Sequence, residues 1–263
     1  MYNFDFARPD TLQDAQAALR ADDAQALGGG QTLIPTLKQR LAAPAILVSL
    51  TAIPELKGIC LADDGRLCIG GATTHATVAR EAAAHYPALA QLAGNIGDPA
   101  VRNRGTIGGS LANNDPSACY PAAVLASGAT VITDRQEVAA DDYFQGMFAT
   151  ALGEGEIITE VRFPVPQAAN YQKFVQPASR FALVGVFVAR FAHGVRVAVT
   201  GASEGGVFRW HKAEAALGDD FRAEALGDLA VEADGMIGDL HGTPEYRAHL
   251  VRVLTGRAVT AAA

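Results

Sequence analysis

Two short stretches concentrate the groups suited to chemistry in this 263-residue chain: "GGGQTLIP" (Gly28 to Pro35) and "RNRGTIGGSLANNDP" (Arg102 to Pro116). Glycine lets backbone N–H groups approach a ligand closely because no Cβ intervenes. Three consecutive glycines ahead of a helical segment read either as an anion site or as a tight strand-to-helix turn. The usual dinucleotide fingerprint does not fit. G-x-G-x-x-G needs glycine at position 33, which is Leu33, and the next strand ends with Ser49 and Thr51 where an acidic ribose ligand is expected. A Walker loop is excluded, since Gly-Lys-Ser/Thr occurs nowhere. In the second stretch Gly105, Gly108 and Gly109, with Thr106 and Ser110, offer a further backbone-donor surface, a nest able to hold a phosphate. Two such loops suggest one pyrophosphate gripped from both sides. Arg102 and Arg104 either add charge to that site or pair with Asp98 or Asp115. A Cβ added at Gly29 or Gly30 is expected to obstruct the phosphate while sparing the fold.

Other chemistries find little support. Cys60, Cys68 and Cys119 have no C-x-x-C spacing and are too few for a four-thiolate cluster. They read as small buried residues kept reduced. The six histidines show no H-E-x-x-H and read as surface or capping residues; no G-x-S-x-G occurs, and Trp210 reads as a packing residue. No catalytic or metal-binding residue is expected. A net charge of −7 without a Lys/Arg run argues against nucleic acid. The longest apolar runs are strand-sized, and the start "MYNFDFARPD" lacks the basic-then-apolar order of a signal peptide, so the expectation is a cytoplasmic protein without a membrane span.

The elements that must position the glycines follow from periodicity. "RPDTLQDAQAALRAD" reads as a helix capped by Asp10 or Thr11, "AQAL" as a short strand before Gly28, "TLIPTLKQRLA" as a helix with Pro35 in its first turn, and "AILVSL" as a buried strand. "GICLADDGRLCIGGATT" then alternates around Asp63-Asp64-Gly65 as a hairpin, and Thr74 caps a helix through Ala84. "PALAQLAGNIG" and Pro121 to Ser127 read as helices, "TVIT" and "EIITEVRFP" as strands, and Pro164, Pro166 and "QAAN" as a linker. Beyond it "YQKFVQP", "RFALVGVFVARF" and "VRVAVTGAS" read as three antiparallel strands. A last helix starts at Pro244 after Thr243, with a fraying "TAAA" end.

Together the two glycine stretches resemble the FAD-binding medium subunit of the molybdenum hydroxylases, the xanthine dehydrogenase and aerobic carbon monoxide dehydrogenase relatives, which usually read AGGQSLIP and RNRGTIGGSLANADP. The likeness runs from "FDFARPDTLQDA" through "EIITEVRFP" to "GTPEYRAHLVRVLTGRAV". It implies an α+β fold: a p-cresol methylhydroxylase-type FAD-binding domain of two α/β subdomains (residues 1–165, divided at about 55), then a C-terminal domain over 170–263 with a three-stranded antiparallel sheet and helices. Gly28, Gly29, Gly30, Gln31, Thr32 and Leu33 would hold FAD from one side. Thr106, Ile107, Gly108, Gly109 and Ser110 would hold it from the other, with Ile96, Val101, Asp115 and Ile158 completing the set. The resemblance implies two partners, a molybdopterin-binding large subunit and a small subunit with two [2Fe–2S] clusters, in a dimer of heterotrimers. Electrons would pass from the clusters to FAD and on to NAD⁺, a quinone, oxygen or another acceptor.

The chain departs from the family at three places. Gly28 replaces an alanine, Cys119 in "DPSACYP" replaces an acid that contacts the cofactor's sugar, and Phe181 stands where a tyrosine near the flavin is common. Two alternatives remain open from the residues: a stand-alone flavin oxidoreductase of the same fold, and a degenerate scaffold subunit that no longer binds its cofactor.

Overall fold

A computed structural model describes residues 1–262. The N-terminal unit holds strands β1 (Asp5–Ala7), β2 (Ala24–Leu27) and β3 (Ile46–Ser49) and helices α1 (Leu12–Ala18) and α2 (Leu33–Lys38). The strands form a parallel sheet in the order β1-β3-β2. Three-residue β1 is too short to show a period and adds a strand beyond those expected. Thr11 starts α1, its hydroxyl accepting the Asp14 N–H at 3.1 Å, which satisfies one of the four orphan donors at a helix start. Ala15 and Leu19 then pack against Val48, Ile53 and Leu56. Chain segments leaving the carboxyl ends of these parallel strands surround a crevice, the usual ligand position for such sheets.

The middle unit is a five-stranded antiparallel sheet in the order β4-β5-β10-β6-β7, built from β4 (Ile59–Leu61), β5 (Leu67–Gly70), β6 (Thr130–Thr133), β7 (Glu137–Ala139) and β10 (Ile158–Phe163). Strands β8 (Phe144–Gly146) and β9 (Ala149–Thr150) make a separate small hairpin. The β4–β5 hairpin turns at Asp63-Asp64-Gly65, where Gly65 adopts φ +79°. Leu67, Ile69, Val131, Val161 and Phe163 face one core. Over it lie α3 (His75–Glu81), α4 (Pro87–Gly94), α5 (Pro99–Arg102), α6 (Ile107–Asn113), α7 (Tyr120–Ser127) and α8 (Ala140–Tyr143). Every residue of α7 is buried, so it has no polar face. Thr74 caps α3 by accepting the Thr77 N–H.

The C-terminal sheet has four strands rather than the three expected: β11 (Ala168–Val175), β12 (Ala182–Phe191), β13 (Gly194–Thr200) and β14 (Phe208–Arg209). Two-residue β14 has no readable alternation, yet it pairs with Ala198 and Val199. β12 is covered on both faces. Phe187 and Ala189 join the middle core, while Val184, Val186 and Val188 pack under α9 (His211–Asp219) and α10 (Pro244–Ala262). Two-sided burial explains its nearly continuous apolar run. Trp210 is buried in the second of these layers, as a packing residue should be. Thr243 caps α10 through the Tyr246 N–H at 3.2 Å. The helix continues through Ala262, into the tail expected to fray; Ala263 lies outside the described residues. Among the described residues no helix is long and apolar enough to cross a membrane.

The glycine loops and their cavity

The two glycine stretches, distant in sequence, lie against each other. An ideal Cβ on Gly29 would fall 2.0 Å from the Arg104 carbonyl oxygen, and one on Gly28 2.9 Å from the Thr106 Oγ1. Glycine is therefore needed at position 29 for the loops to touch, which corrects the expectation that this position is free for a side chain; at position 28 only the Thr106 hydroxyl would have to shift. Gly30 adopts φ +71°, and a Cβ there would crowd Ile34. The Gln31 side chain donates to the Gly29 carbonyl at 3.1 Å and steadies the turn.

The stretches differ in what they offer an anion. None of the backbone N–H groups from Gly28 to Leu33 donates to another protein group among the described residues. That is an unspent run of donors in a loop that is partly open to solvent. The second stretch is no nest. Gly108 and Gly109 are the first turn of α6, and Thr106 is its cap. The N–H groups of Ile107, Gly108, Gly109 and Ser110 go to Thr73 O, Gly71 O, Thr106 Oγ1 and Thr106 O respectively. From Gly105 to Ser110 only the Thr106 N–H is left unbonded. The signal for this helix was present, since Thr106 precedes Ile107 and Leu111 at i, i+4 spacing, but the glycines masked it.

A cavity of about 600 Å³ opens at the first loop, lined by Gly28, Gly29, Gly30 and Gln31 together with Phe6, Leu27, Ile34, Pro35, Ser49 and Thr51. Arg8, Lys38 and Arg104 complete the wall, and no Asp or Glu lines it. Among the described residues none of the three cations forms an ion pair. Three positive charges and no acid give this cavity a local balance suited to an anion in a chain of net charge −7. Sequence reading missed Arg8 and Lys38. Arg8 follows β1, a strand no pattern marks, and Lys38 lies in the last turn of α2, where nothing local shows that it faces the loop. With only six residues, α2 contributes little dipole of its own.

The remaining candidates are placed as follows. Thr32 and Leu33 continue from the first loop into α2. Val101 accepts the Gly105 N–H at 2.7 Å, and Ile96 is tied to the same turn because Arg102 donates to the Ile96 and Gly97 carbonyls. Arg102 and Arg104 thus pair with neither Asp98, which caps α5 through the Val101 N–H, nor Asp115. Ile158 is buried one layer beneath. Gly108 rests on the Gly71 backbone, and a Cβ on Gly71 would meet the Ile158 carbonyl at 2.1 Å. Asp115 stands past the opposite end of α6, accepting the Ser117 N–H at 2.8 Å. A helix of seven residues separates it from Thr106 by roughly 10 Å.

Two side chains differ from expectation. His75 is buried rather than at the surface, 5% exposed, with its ring 5.3 Å from that of Tyr120 and its Nδ1 unbonded. Burial, with a smaller contribution from Arg102, lowers its pKa to about 4, so the ring stays neutral. Cys60 is exposed rather than buried, whereas Cys68 and Cys119 are buried as expected. Cys119 lies in the middle core, which also holds Tyr171.

Residues 2–166 match the family described as "FAD binding domain in molybdopterin dehydrogenase". The chain belongs to this family. An FAD-binding domain of this kind must seat a dinucleotide diphosphate, and the unspent donors and unpaired cations fit that need. The likeness extends beyond the domain. The nicotine 6-hydroxylase medium subunit of Paenarthrobacter nicotinovorans is 34% identical over 98% of this chain and 96% of that protein. The carbon monoxide dehydrogenase medium chain of Afipia carboxidovorans is 33% identical over the same shares. Among solved structures, quinoline 2-oxidoreductase from Pseudomonas putida 86 has a chain with TM-score 0.88 and 28% identity, covering 99% of this chain and 97% of that one. A chain of reconstituted carbon monoxide dehydrogenase from Oligotropha carboxidovorans gives TM-score 0.88 at 30% identity, covering 99% and 98%. The protein is an oxidoreductase subunit of the medium-subunit type, and its cofactor is FAD.

Proposed function

We propose that this chain is the electron-transferring FAD subunit of a three-subunit molybdenum hydroxylase-type dehydrogenase. It takes electrons from a subunit with two [2Fe–2S] clusters, which draws them from a molybdopterin-binding large subunit, and passes them to an external acceptor. Two such trimers pair, in the cytoplasm. One observation carries the reading: two glycine stretches seated on each other beside an acid-free cavity with three unpaired cations. FAD, when bound, supplies the redox chemistry, and the protein supplies grip and electrostatics.

In this reading the Gly28, Gly29, Gly30, Gln31, Thr32 and Leu33 N–H groups bind the diphosphate, and Arg8, Lys38 and Arg104 balance its charge. Thr106, Ile107, Gly108, Gly109 and Ser110 form the opposing wall, where exposed Gly109 leaves room for the dinucleotide. Ile96, Val101 and Ile158 set the apolar boundary behind that wall, and Asp115 serves the distal part of the cofactor. Gly109→Ala and loss of the cavity cations probe the wall and the cavity separately.

The purified chain should show flavin absorption, either as isolated or after incubation with FAD, and should not oxidise any organic substrate by itself. No bound flavin after reconstitution of a folded chain would favour the scaffold. Substrate turnover by the chain alone, free of molybdenum and iron, would favour the stand-alone flavoenzyme.

A further inference from the structure

We propose that Cys60 and Cys68 form a reversible disulfide, a redox modification site on the outer face of the five-stranded sheet. The register of β4 against β5 sets the two cysteines directly opposite each other. Flanking bonds from Gly70 N–H to Gly58 O (3.0 Å) and from Ala62 N–H to Arg66 O (2.9 Å) lie two residues away on either side. The cysteines therefore occupy a hydrogen-bonded pair, where opposed Cα atoms are about 5.5 Å apart. That separation lies inside the roughly 4.4–6.8 Å that disulfides span. Directly opposed residues also project to one face of a sheet, so both thiols are on the same side.

Leu67 and Ile69 point into the core, so Cys68 points away from it, and it is absent from the apolar cluster they join. On the neighbouring strand β10, Arg162 is opposite Cys68, and Glu160 next to it pairs with Arg162 at 2.5 Å. These two side chains cover Cys68, leaving it 5% exposed, while Cys60 on edge strand β4 is open to solvent. Burial, then the Glu160 carboxylate and the Cys60 sulfur, pushes the Cys68 thiol up to about 11. The roles divide accordingly. Cys60 as thiolate attacks the O–O bond of a hydroperoxide, which breaks to give Cys60 sulfenic acid and an alcohol or water. Cys68 then attacks the sulfenic sulfur; its proton passes to Glu160 and on to the departing hydroxide, and one water leaves as the S–S bond forms. In sum two thiols are oxidised by two electrons and one hydroperoxide is reduced. The bond fastens edge strand β4 to the strand that leads into Gly71, on which α6 rests. The Cys60 sulfur of this disulfide stays open to an attacking thiol, which makes the bond reducible again.

The test is a short exposure of the folded, FAD-loaded protein to a small excess of hydrogen peroxide. Its intact mass should fall by two hydrogens. Cleavage after Arg66, which separates the two cysteines, should leave their peptides joined until dithiothreitol is added, with Cys119 still alkylatable in denaturant. In Cys68→Ser the oxidised Cys60 should persist as a sulfenic acid that dimedone captures, and in Cys60→Ser no joined peptide should form. Conversion of wild-type Cys60 to sulfinic or sulfonic acid with Cys68 still a free thiol would overturn the proposal. So would Cys60 linked only between molecules.

Discussion

Gly29 and Gly109 look alike in sequence and do opposite work. A methyl at Gly29 meets the Arg104 backbone, which cannot yield without parting the loops. Gly29→Ala should therefore cost about 1–3 kcal/mol of stability as overpacking, seen as a lower unfolding midpoint even without FAD. Gly109 is exposed, and a methyl there meets only the Thr106 Oγ1, at 3.0 Å. Relief of a helical glycine, worth roughly 1 kcal/mol, offsets the crowding of that cap. Gly109→Ala should leave apo-protein stability within about 1 kcal/mol and still weaken FAD binding in a titration. Equal affinity would remove Gly109 from the cofactor wall. His75 makes a separate, pH-dependent prediction. The folded protein leaves it neutral down to about pH 4, whereas the unfolded chain protonates it near pH 6.5. Between those values the unfolded state binds more protons, so stability falls as pH drops from about 6.5 towards 4, by up to about 3 kcal/mol. Above pH 6.5 the two states match and the effect vanishes. Chemical denaturation of the apo-protein at several pH values should show this slope, and His75→Asn should flatten it within that window.

At the scale of elements, the cavity is assembled from three places: the chain after β1 brings Arg8, the last turn of α2 brings Lys38, and the turn before α6 brings Arg104. Each is a flexible, exposed side chain, so it acts on a bound diphosphate rather than on the fold. A charge-assisted hydrogen bond is worth about 1.5–3 kcal/mol at best. Lys38→Ala and Arg104→Ala should each weaken FAD binding by up to about 10- to 100-fold, with unfolding midpoints unchanged and a shallower dependence of affinity on salt. Unaltered affinity in both variants would move the diphosphate out of this cavity. The elements themselves were largely legible. Thr11, Thr74 and Thr243 announced their helices because a cap is a local event, and the Asp63-Asp64-Gly65 turn fixed its hairpin for the same reason. What could not be read was tertiary. β1 and β14 exist only because longer strands offer them an edge. The α6 N–H groups are spent on Gly71 and Thr73, more than thirty residues earlier. The cations converge from elements whose contact no local pattern encodes.

On the scale of the whole molecule, large apolar side chains are exposed on the C-terminal unit. Phe174 and Val175 at the end of β11, Phe181 at the start of β12, and Leu240 and Tyr246 around the start of α10 are all exposed large apolar side chains. The Phe174 and Tyr246 rings lie 6.1 Å apart edge to face, the Gln176 N–H donates to the Phe181 carbonyl, and the Gln176 side-chain amide lies 3.3 Å from the His241 ring. Leu240 is 90% exposed at the tip of this patch and Phe181 is 47% exposed. Exposed apolar side chains that cluster in this way suit an interaction site. It includes Phe181, the position given to a flavin-side ring by the family resemblance, so under the proposed function the iron–sulfur subunit is expected to dock on this face. Leu240→Asp removes the most exposed apolar side chain without touching the core. The variant subunit, expressed alone, should aggregate less and keep its FAD. Co-expressed with its partners, it should recover less iron and molybdenum in pull-downs than the wild type, and more weakly bound complex should dissociate on dilution. A variant that assembles as tightly as the wild type would place the partner on another face.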